Sequence, residues 1–431
     1  MDIKPTPQAA ASPWHIAIVG AGPVGLTLAL LLARRCPTLQ ITVIDARPWD
    51  HDVSTDARTL ALSLGSIQTL QSLGVWDQCV QNHRTQAITH IHVSQANPGH
   101  ASQRAQPSAA VHIHASDVGT QQLGAVIKYG HLVQALQQAW AIQQACEPHR
   151  LHNAYGSAVK AITRSTESIH PRAVIESEHH TAVFDLAVVA EGGVFQMQPT
   201  HTIATPQKST LLNHSYQQTA WVGTVTLTGL APGLAIERFT PEGPLALLPL
   251  PHSPTPADAS QASLVWCVNS ARDPIPAFTD SQRIAAINAL LPEAAGRVQA
   301  ISPLKSFALG LKVAPRLVES GCIVRLGNAA QTLHPVAGQG LNLGLRDAQC
   351  LVYQLRLATQ RPYTLKKTLC QFQRQREPDR WGLIAVTDFL ARNFTWPLPG
   401  ISLLQGMAFD ALERTPSLKQ WLARKFMWGF R

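Results

Sequence analysis

The sequence predicts an α/β fold: a core of parallel strands and helices assembled from discontinuous segments, an antiparallel sheet beside it, and helices at the C-terminal end. Three observations predict it. Residues 15–35 (HIAIVGAGPVGLTLALLLARR) read as a strand, a glycine-rich turn and a helix. A second glycine-rich strand–turn–helix stands at residues 322–348 (CIVRLGNAAQTLHPVAGQGLNLGLRDA), near the other end. Between them, residues 217–270 alternate in strand fashion (TAWVGTVTLTG, LAIERFT, GPLALLPL, SLVWCVN). Two such glycine turns on one chain predict that both ends fold onto one extended ligand.

Each element has its own justification. Ile16 to Val19 form a buried parallel strand. Gly20, Gly22 and Gly25 fit G-x-G-x-x-G, with the first for a tight turn, the second for close approach of a pyrophosphate, and the third for packing helix on strand. The phosphates of a dinucleotide would sit at the positive end of the following helix. The next strand, ITVID, ends in Asp45, at the usual distance for a carboxylate that accepts from an adenosine ribose hydroxyl. This pattern predicts a Rossmann-like dinucleotide core without separating NAD from FAD.

Arg58 to Trp76 reads as a helix whose apolar face is Leu62, Ile67, Leu70 and Leu73. HIHVS and AVHIHAS, within 87–115, are short strands around a Gly/Pro/Gln-rich loop at 95–109. A helix follows over Gly130–Ala145, then strands and turns to Leu186–Ala190. Residues 251–263 (PHSPTPADASQAS) read as a flexible hairpin loop, and helix dominates after Gly338. The expected division is a tail at 1–14, a dinucleotide-binding part at 15–200 and 301–365, a substrate part at 201–300 joined by strands from 85–115, and basic amphipathic helices at 366–431.

Composition bounds the function. The chain has 431 residues, 45% of them hydrophobic and 14% charged, enough for a large core in two lobes. No apolar run reaches the ~18 residues a membrane-spanning helix needs. The polar, proline-bearing N-terminus reads as a disordered tail rather than a secretion signal. Seven scattered cysteines with no C-x-x-C suit a reducing compartment. The 18 histidines include the pairs His90/His92 and His112/His114, each pair sharing a strand face. No matching carboxylate accompanies them, so structural roles are expected and no metal.

The net charge of +9 is concentrated: residues 346–431 hold 14 Lys or Arg against 6 Asp or Glu. The same region carries Trp396, Trp421, Phe426, Trp428 and Phe430. Basic helices with interfacial tryptophan suit an anionic membrane surface, and core-packing helices with a solvated basic face are the other reading. No nucleic-acid motif accompanies the charge, so no nucleic-acid partner is expected.

The motifs support a narrower resemblance. The N-terminal half resembles the FAD-binding domain of aromatic-ring hydroxylases, the single-component flavin monooxygenases. Residues 322–348 resemble that group's second flavin motif, G-D-x-A-H-x-x-x-P-x-x-G-Q-G-x-N. TDARTLALSLGSIQTLQSLGVWDQ (55–78), HIHVS (90–94), ERFTPEGPLALLPL (237–250), SLVWCV (263–268) and residues 327–348 resemble the ubiquinone-biosynthesis hydroxylases. Asn328 and Gln331 stand where most members carry Asp and His, a form that resembles the 2-polyprenyl-6-methoxyphenol hydroxylase branch. The similarity runs from about residue 15 to the C-terminus.

This resemblance implies a p-hydroxybenzoate hydroxylase-like fold, with FAD as cofactor and O2 as co-substrate. NAD(P)H or another donor would reduce the flavin. The substrate implied is a polyprenylated phenol, hydroxylated through a C4a-hydroperoxyflavin. Arg58 matches the family arginine beside the flavin. Gly327 and Asn328 match the motif that binds the ribityl–pyrophosphate region. Pro335, Gly338, Gln339, Gly340, Leu341 and Asn342 would lie under the isoalloxazine, with the Asn342 amide adding a contact. Glu191 stands where a third family motif, D-G-x-x-S, has Asp, and the serine is missing, which puts recognition of the reductant in question. His334 is the one histidine placed for catalysis, although the family does not require it as a base. Other proteins of ubiquinone synthesis are implied partners. The implied location is the cytoplasm, extending to the surface of the inner membrane. A flavin-dependent prenyl or quinone reductase, a soluble aromatic-acid hydroxylase and a non-catalytic flavoprotein scaffold stay open beside the hydroxylase reading.

Overall fold

The computed structural model describes residues 14–96, 109–166, 170–178, 180–192, 212–251, 259–360, 363–393 and 401–429. Residues 1–13 of the predicted tail, Trp396, Phe430, Gly193 and most of the loops at 95–109 and 251–263 lie outside these residues.

The first strand, His15–Val19, is buried and central. It pairs in parallel with Gln40–Asp45 on one side and Leu186–Val189 on the other. Leu151–Tyr155 and Ile323–Arg325 extend this sheet in parallel, and Val318–Glu319 closes one edge antiparallel, giving six strands among the described residues. Its near-continuous apolar strands are those of a sheet covered on both faces. Helix Pro23–Arg35 has proline in its first turn and a buried run from Pro23 to Ala33. It is apolar all round because it lies between this sheet and helices Tyr129–Cys146 and Gln339–Gln360.

The second large sheet has nine strands. It runs from Gln331–Thr332 through Lys305–Val313, Leu212–Thr228, Ala259–Asn269, Gly243–Pro249, Leu234–Thr240 and His90–Gln95 to Ala110–His114, with Arg297–Ile301 beside Leu212–Thr228. The strands expected from 217–270 are all here, and HIHVS and AVHIHAS join them. One pair departs from the antiparallel expectation: Leu234–Thr240 runs parallel to His90–Gln95. Lys305–Val313 also pairs in this sheet, although the sequence reading grouped it with the dinucleotide-binding part.

The predicted helix at 58–76 needs correction. Thr59–Ser63 is a strand, paired antiparallel with Gly124–Lys128, and the helix begins at Leu64. Leu60 and Leu62 therefore belong to a strand whose partner lies far along the chain. Gly130–Ala145, by contrast, falls within helix Tyr129–Cys146.

Three helices close the chain: Leu365–Asn393, Ile401–Glu413 and Pro416–Trp428. The last is docked by one face. Ala423 and Met427 are buried with Ala115, Val118 and Leu123. Its end reaches Gly65, where a Cβ would meet the Met427 carbonyl at 2.7 Å.

Candidate functional site

Both glycine turns lie at the carboxyl end of the parallel strands, where open α/β sheets bind ligands. In the first, Gly20 has φ +107° and donates its N–H to Ile44 O at 2.7 Å. A Cβ on Gly25 would lie 1.9 Å from Gly20 O, so helix and turn pack with no space for a side chain. Gly22 differs: a Cβ there would meet nothing nearer than Tyr129 Oη at 3.5 Å. No side chain caps the helix that begins after Gly22, so its first-turn amides and positive end are left for an anion.

The second turn interlocks with the first. A Cβ on Gly327 would sit 3.2 Å from Val24 Cγ2, and one on Gly344 would sit 2.9 Å from the same atom. Val24 of the first helix is therefore seated against Gly327 and Gly344, two of the four glycines of the late motif. Pro335 leads into the short turn Val336–Gly338, closed by the Gly338 N–H donating to Pro335 O at 2.9 Å. Gln339, which is buried, opens helix Gln339–Gln360, and Leu341 packs on the main core. A Cβ on Gly340 would have no atom within 4 Å.

Asp45 ends its strand with both oxygens engaged. Oδ2 accepts from the Ala21 N–H at 2.6 Å, and Oδ1 accepts from Arg47 Nε at 3.0 Å. Burial pushes this carboxyl upward, but the Arg47 and Ala21 hydrogen bonds outweigh it and hold the group below the ordinary aspartate range. Glu191 follows strand Leu186–Val189. Burial, reinforced by Asp45, raises its carboxyl, so it holds a proton more readily than a free glutamate. Next to it, a Cβ on Gly192 would stand 2.5 Å from Asn328 Cβ, and the Asn328 amide donates to Gly192 O at 3.3 Å. Glu191, Gly192 and Asn328 thus line one rim beside the first turn.

Arg58 forms a two-point pair with Asp56, with Nε to Oδ1 at 2.9 Å and Nη2 to Oδ2 at 2.6 Å, and lies 4.2 Å above the Tyr129 ring. Burial pushes the guanidinium down, yet the Asp56 carboxylate more than restores its charge.

Asn342 does not extend its amide toward a ligand. Its oxygen accepts from the Ser63 N–H at 2.9 Å and Ser66 Oγ at 2.7 Å, and its nitrogen donates to Ala61 O and Gly338 O, both at 3.0 Å. All its capacity is spent fixing the late turn to strand Thr59–Ser63. His334 is 1% exposed. Nδ1 accepts from the Val336 N–H at 3.2 Å, which places the ring proton on Nε2, donated to Gln218 Oε1 at 2.9 Å. Burial lowers its pKa to about 3, so the ring is neutral, with no free nitrogen for a substrate.

Sequence reasoning expects a substrate-covering sheet with an apolar face but does not name the residues of the wall opposite the late turn. Gln218 projects from the large sheet toward His334. Beside it Ala220, Cys267 and Leu309 are buried, with Tyr216, Val222 and Val265 packed against them. This apolar face is contributed by three strands, and only their pairing brings it together. A separate cleft of about 610 Å³, lined by Leu64, Trp76, Val80 and Gln121 among others, shares no residue with either glycine turn.

The residues present fit FAD. The space a Cβ would fill at Gly22 and Gly340 is the kind of clearance backbone needs against a pyrophosphate and a planar ring, and the uncapped helix end supplies donors. His90 Nε2 lies 3.3 Å from His112 Nδ1 and His90 stacks on His114 at 3.8 Å; among the described residues no group of His, Cys, Asp or Glu is arranged to hold a metal.

Comparison with known proteins agrees with this geometry. The family model described as "FAD binding domain" matches residues 14–383. The ubiquinone hydroxylase UbiL of Rhodospirillum rubrum is 28% identical over 96% of this chain and 89% of its own length. The 3-demethoxyubiquinol 3-hydroxylase of Escherichia coli is 28% identical over 95% of this chain and 97% of its own. Among solved structures, p-nitrophenol 4-monooxygenase PnpA of Pseudomonas putida shares the fold with TM-score 0.73 at 13% identity, covering 97% of this chain and 99% of that one. Klebsiella pneumoniae HpxO, solved with FAD and uric acid, has TM-score 0.66 at 15% identity, covering 95% and 97%.

Proposed function

The chain belongs to the FAD binding domain family, and from that premise we propose that it is an FAD-dependent monooxygenase. Its reaction is hydroxylation of the aromatic ring of a polyprenylated phenol, of the 2-polyprenyl-6-methoxyphenol type, in ubiquinone biosynthesis. The observation that carries the reading is the meeting of the two glycine turns through Val24, with clearance left at Gly22 and Gly340. Relatives named as ubiquinone hydroxylases over most of both chains support the substrate class.

Bound FAD supplies the activation of O2 after reduction by NAD(P)H or another donor. The protein's task is to bind, orient and keep water out. The first-turn amides after Gly22 and the positive end of helix Pro23–Arg35 would hold the pyrophosphate, with Asp45 and Glu191 toward the ribose. Arg58, Gly327 and Asn328 would hold the middle of the cofactor. The positive end of helix Gln339–Gln360, opening at Gly338 and Gly340, favours negative charge beside the ring. The face of Tyr216, Ala220, Val222, Val265 and Leu309 would give the phenol a dry wall that keeps water from the reacting ring. Ring hydroxylation needs an oriented carbon more than an acid–base side chain, and His334 is not arranged as one.

The decisive experiment is purification in detergent followed by identification of the released chromophore and an O2-uptake assay with a prenylated methoxyphenol. Substrate-dependent uptake with ring hydroxylation is expected. A colourless protein, or double-bond reduction without O2 uptake, overturns the reading.

An anionic membrane surface is a second partner, favoured by one observation. On helix Pro416–Trp428, Leu418 is 46% and Trp421 49% exposed, next to Arg424 and Lys425. No helix among the described residues is long and apolar enough to cross a membrane, so contact would be peripheral. Trp421→Glu should abolish co-sedimentation with phosphatidylglycerol vesicles while the chromophore stays bound; unchanged sedimentation counts against membrane contact.

A further inference from the structure

We propose that Gln218 is a positioning residue for the flavin-side turn, acting through His334, and that a bulge in its strand serves to aim it. The inference rests on the FAD reading above and adds a residue to it.

The bulge is explicit in the register. Strand Leu212–Thr228 pairs Ser215 with Gly310 and Gln218 with the next residue, Leu309, so Tyr216 and Gln217 are extra. Gln217 has φ +54°, a left-handed conformation for a residue other than glycine, and its N–H donates to Ser215 Oγ at 3.2 Å. Such strained insertions persist where surrounding contacts over-determine them, and bulges re-aim side chains near sites.

Those contacts run in a chain. The Tyr216 hydroxyl donates to Asp388 Oδ1 at 3.0 Å, anchoring the bulge to helix Leu365–Asn393. Asp388 is itself paired with Arg392 at 2.9 Å. The Tyr216 ring meets the His334 ring edge-on, with centroids 5.1 Å apart. Gln218 Oε1 accepts from His334 Nε2, and His334 Nδ1 accepts from the Val336 N–H. Val336 opens the turn that ends in Gly338, one residue before the helix whose positive end faces the proposed ring site. Gln218 therefore fixes the imidazole tautomer, and the imidazole fixes the turn. An amide suits this better than a carboxylate partner because it leaves the ring uncharged. The ionisable groups facing His334 are Tyr216 and, at longer range, Asp388 with its partner Arg392; burial outweighs the Asp388 attraction.

The test compares Gln218→Leu with Gln218→Glu in the flavin-loaded protein and the stripped apoprotein. Leucine removes the acceptor, and glutamate keeps an oxygen at the same reach. Gln218→Leu is expected to weaken FAD binding to apoprotein about five- to tenfold, the size of one lost hydrogen bond, and to shift the visible flavin bands. Gln218→Glu should recover most of the affinity and make the flavin spectrum pH-dependent, because a carboxylate at this position favours a charged imidazole. His334→Phe combined with Gln218→Leu should lose little more than either alone. Wild-type affinity and spectrum in Gln218→Leu overturn the proposal, as does equal loss in both Gln218 variants matched by equal loss of apoprotein melting temperature. A wild-type protein without flavin overturns the function reading instead, so the two failures are distinguishable.

Discussion

At the scale of single residues, the glycines sort by what surrounds them. Gly25 and Gly344 are demanded by the protein's own packing, since a Cβ would collide with Gly20 O or Val24 Cγ2. Gly22 and Gly340 have room, so their value lies in what approaches them. Gly344→Ala should destabilise the protein by about 1–3 kcal/mol through overpacking, seen as a lower denaturation midpoint, while the protein that folds still binds flavin. Gly340→Asp should do the reverse: a midpoint near wild type and a colourless protein, because a carboxylate there is repelled by negative charge on the cofactor. A yellow Gly340→Asp protein would remove the late turn from the binding site. The spacing of both motifs was legible in sequence because the turns are local. The role of Asn342 was not, because its partners Ser63 and Ala61 lie about 280 residues away and nothing near position 342 announces them.

At the scale of elements, local pattern and distant pairing compete. The apolar spacing of 58–76 fits a helix, yet Thr59–Ser63 becomes a strand because Gly124–Lys128 offers it a ladder. The C-terminal helices show the same limit for charge. Of the basic residues that made this region look like a cationic surface, Arg346, Arg376 and Arg380 are buried. Arg346 pairs with Asp379 at 2.9 Å, and Arg376 bridges Asp347 and Asp379, both at 2.5 Å. Arg346 and Arg376 thus clamp helix Leu365–Asn393 onto helix Gln339–Gln360 through Asp347 and Asp379, so the buried cluster of three Arg and two Asp removes only one unit of the positive excess. The last helix, Pro416–Trp428, is structural: Trp428 Nε1 donates to Gln68 Oε1 at 3.1 Å, and Gly65 gives its end a seat. Gly65→Leu should therefore undock it, lowering the melting temperature and opening the segment after Glu413 to limited proteolysis. An unchanged cleavage pattern would show that the seat is not required. Deleting the helix outright is a poor test of membrane contact, because it would also expose Ala115, Val118 and Leu123.

At the scale of the whole molecule, buried neutral histidines tie stability to pH. Burial lowers His334 to about 3 and His92 to about 4 in the folded chain, against about 6.5 in an unfolded one. Between those values the unfolded state binds protons that the native state refuses. Their contribution is therefore complete above about pH 6.5 and is lost progressively as pH falls toward the folded values. The slope for His334 alone approaches about 1.4 kcal/mol per pH unit in that window, and His92 acts in the same direction. Asp45, Asp56 and Glu413, held below their ordinary range, add loss only nearer pH 4. Asp347 and Glu191, raised by burial, oppose it by favouring the folded state in acid. Urea midpoints measured from pH 7.5 to 5 should fall steadily below pH 6.5. His334→Gln, which keeps a polar group but cannot titrate there, should start from a lower midpoint and decline less steeply. If its curve runs parallel to wild type, the imidazole is not the group that couples this fold to protons, and the neutral ring inferred beneath the flavin-side turn would be wrong with it.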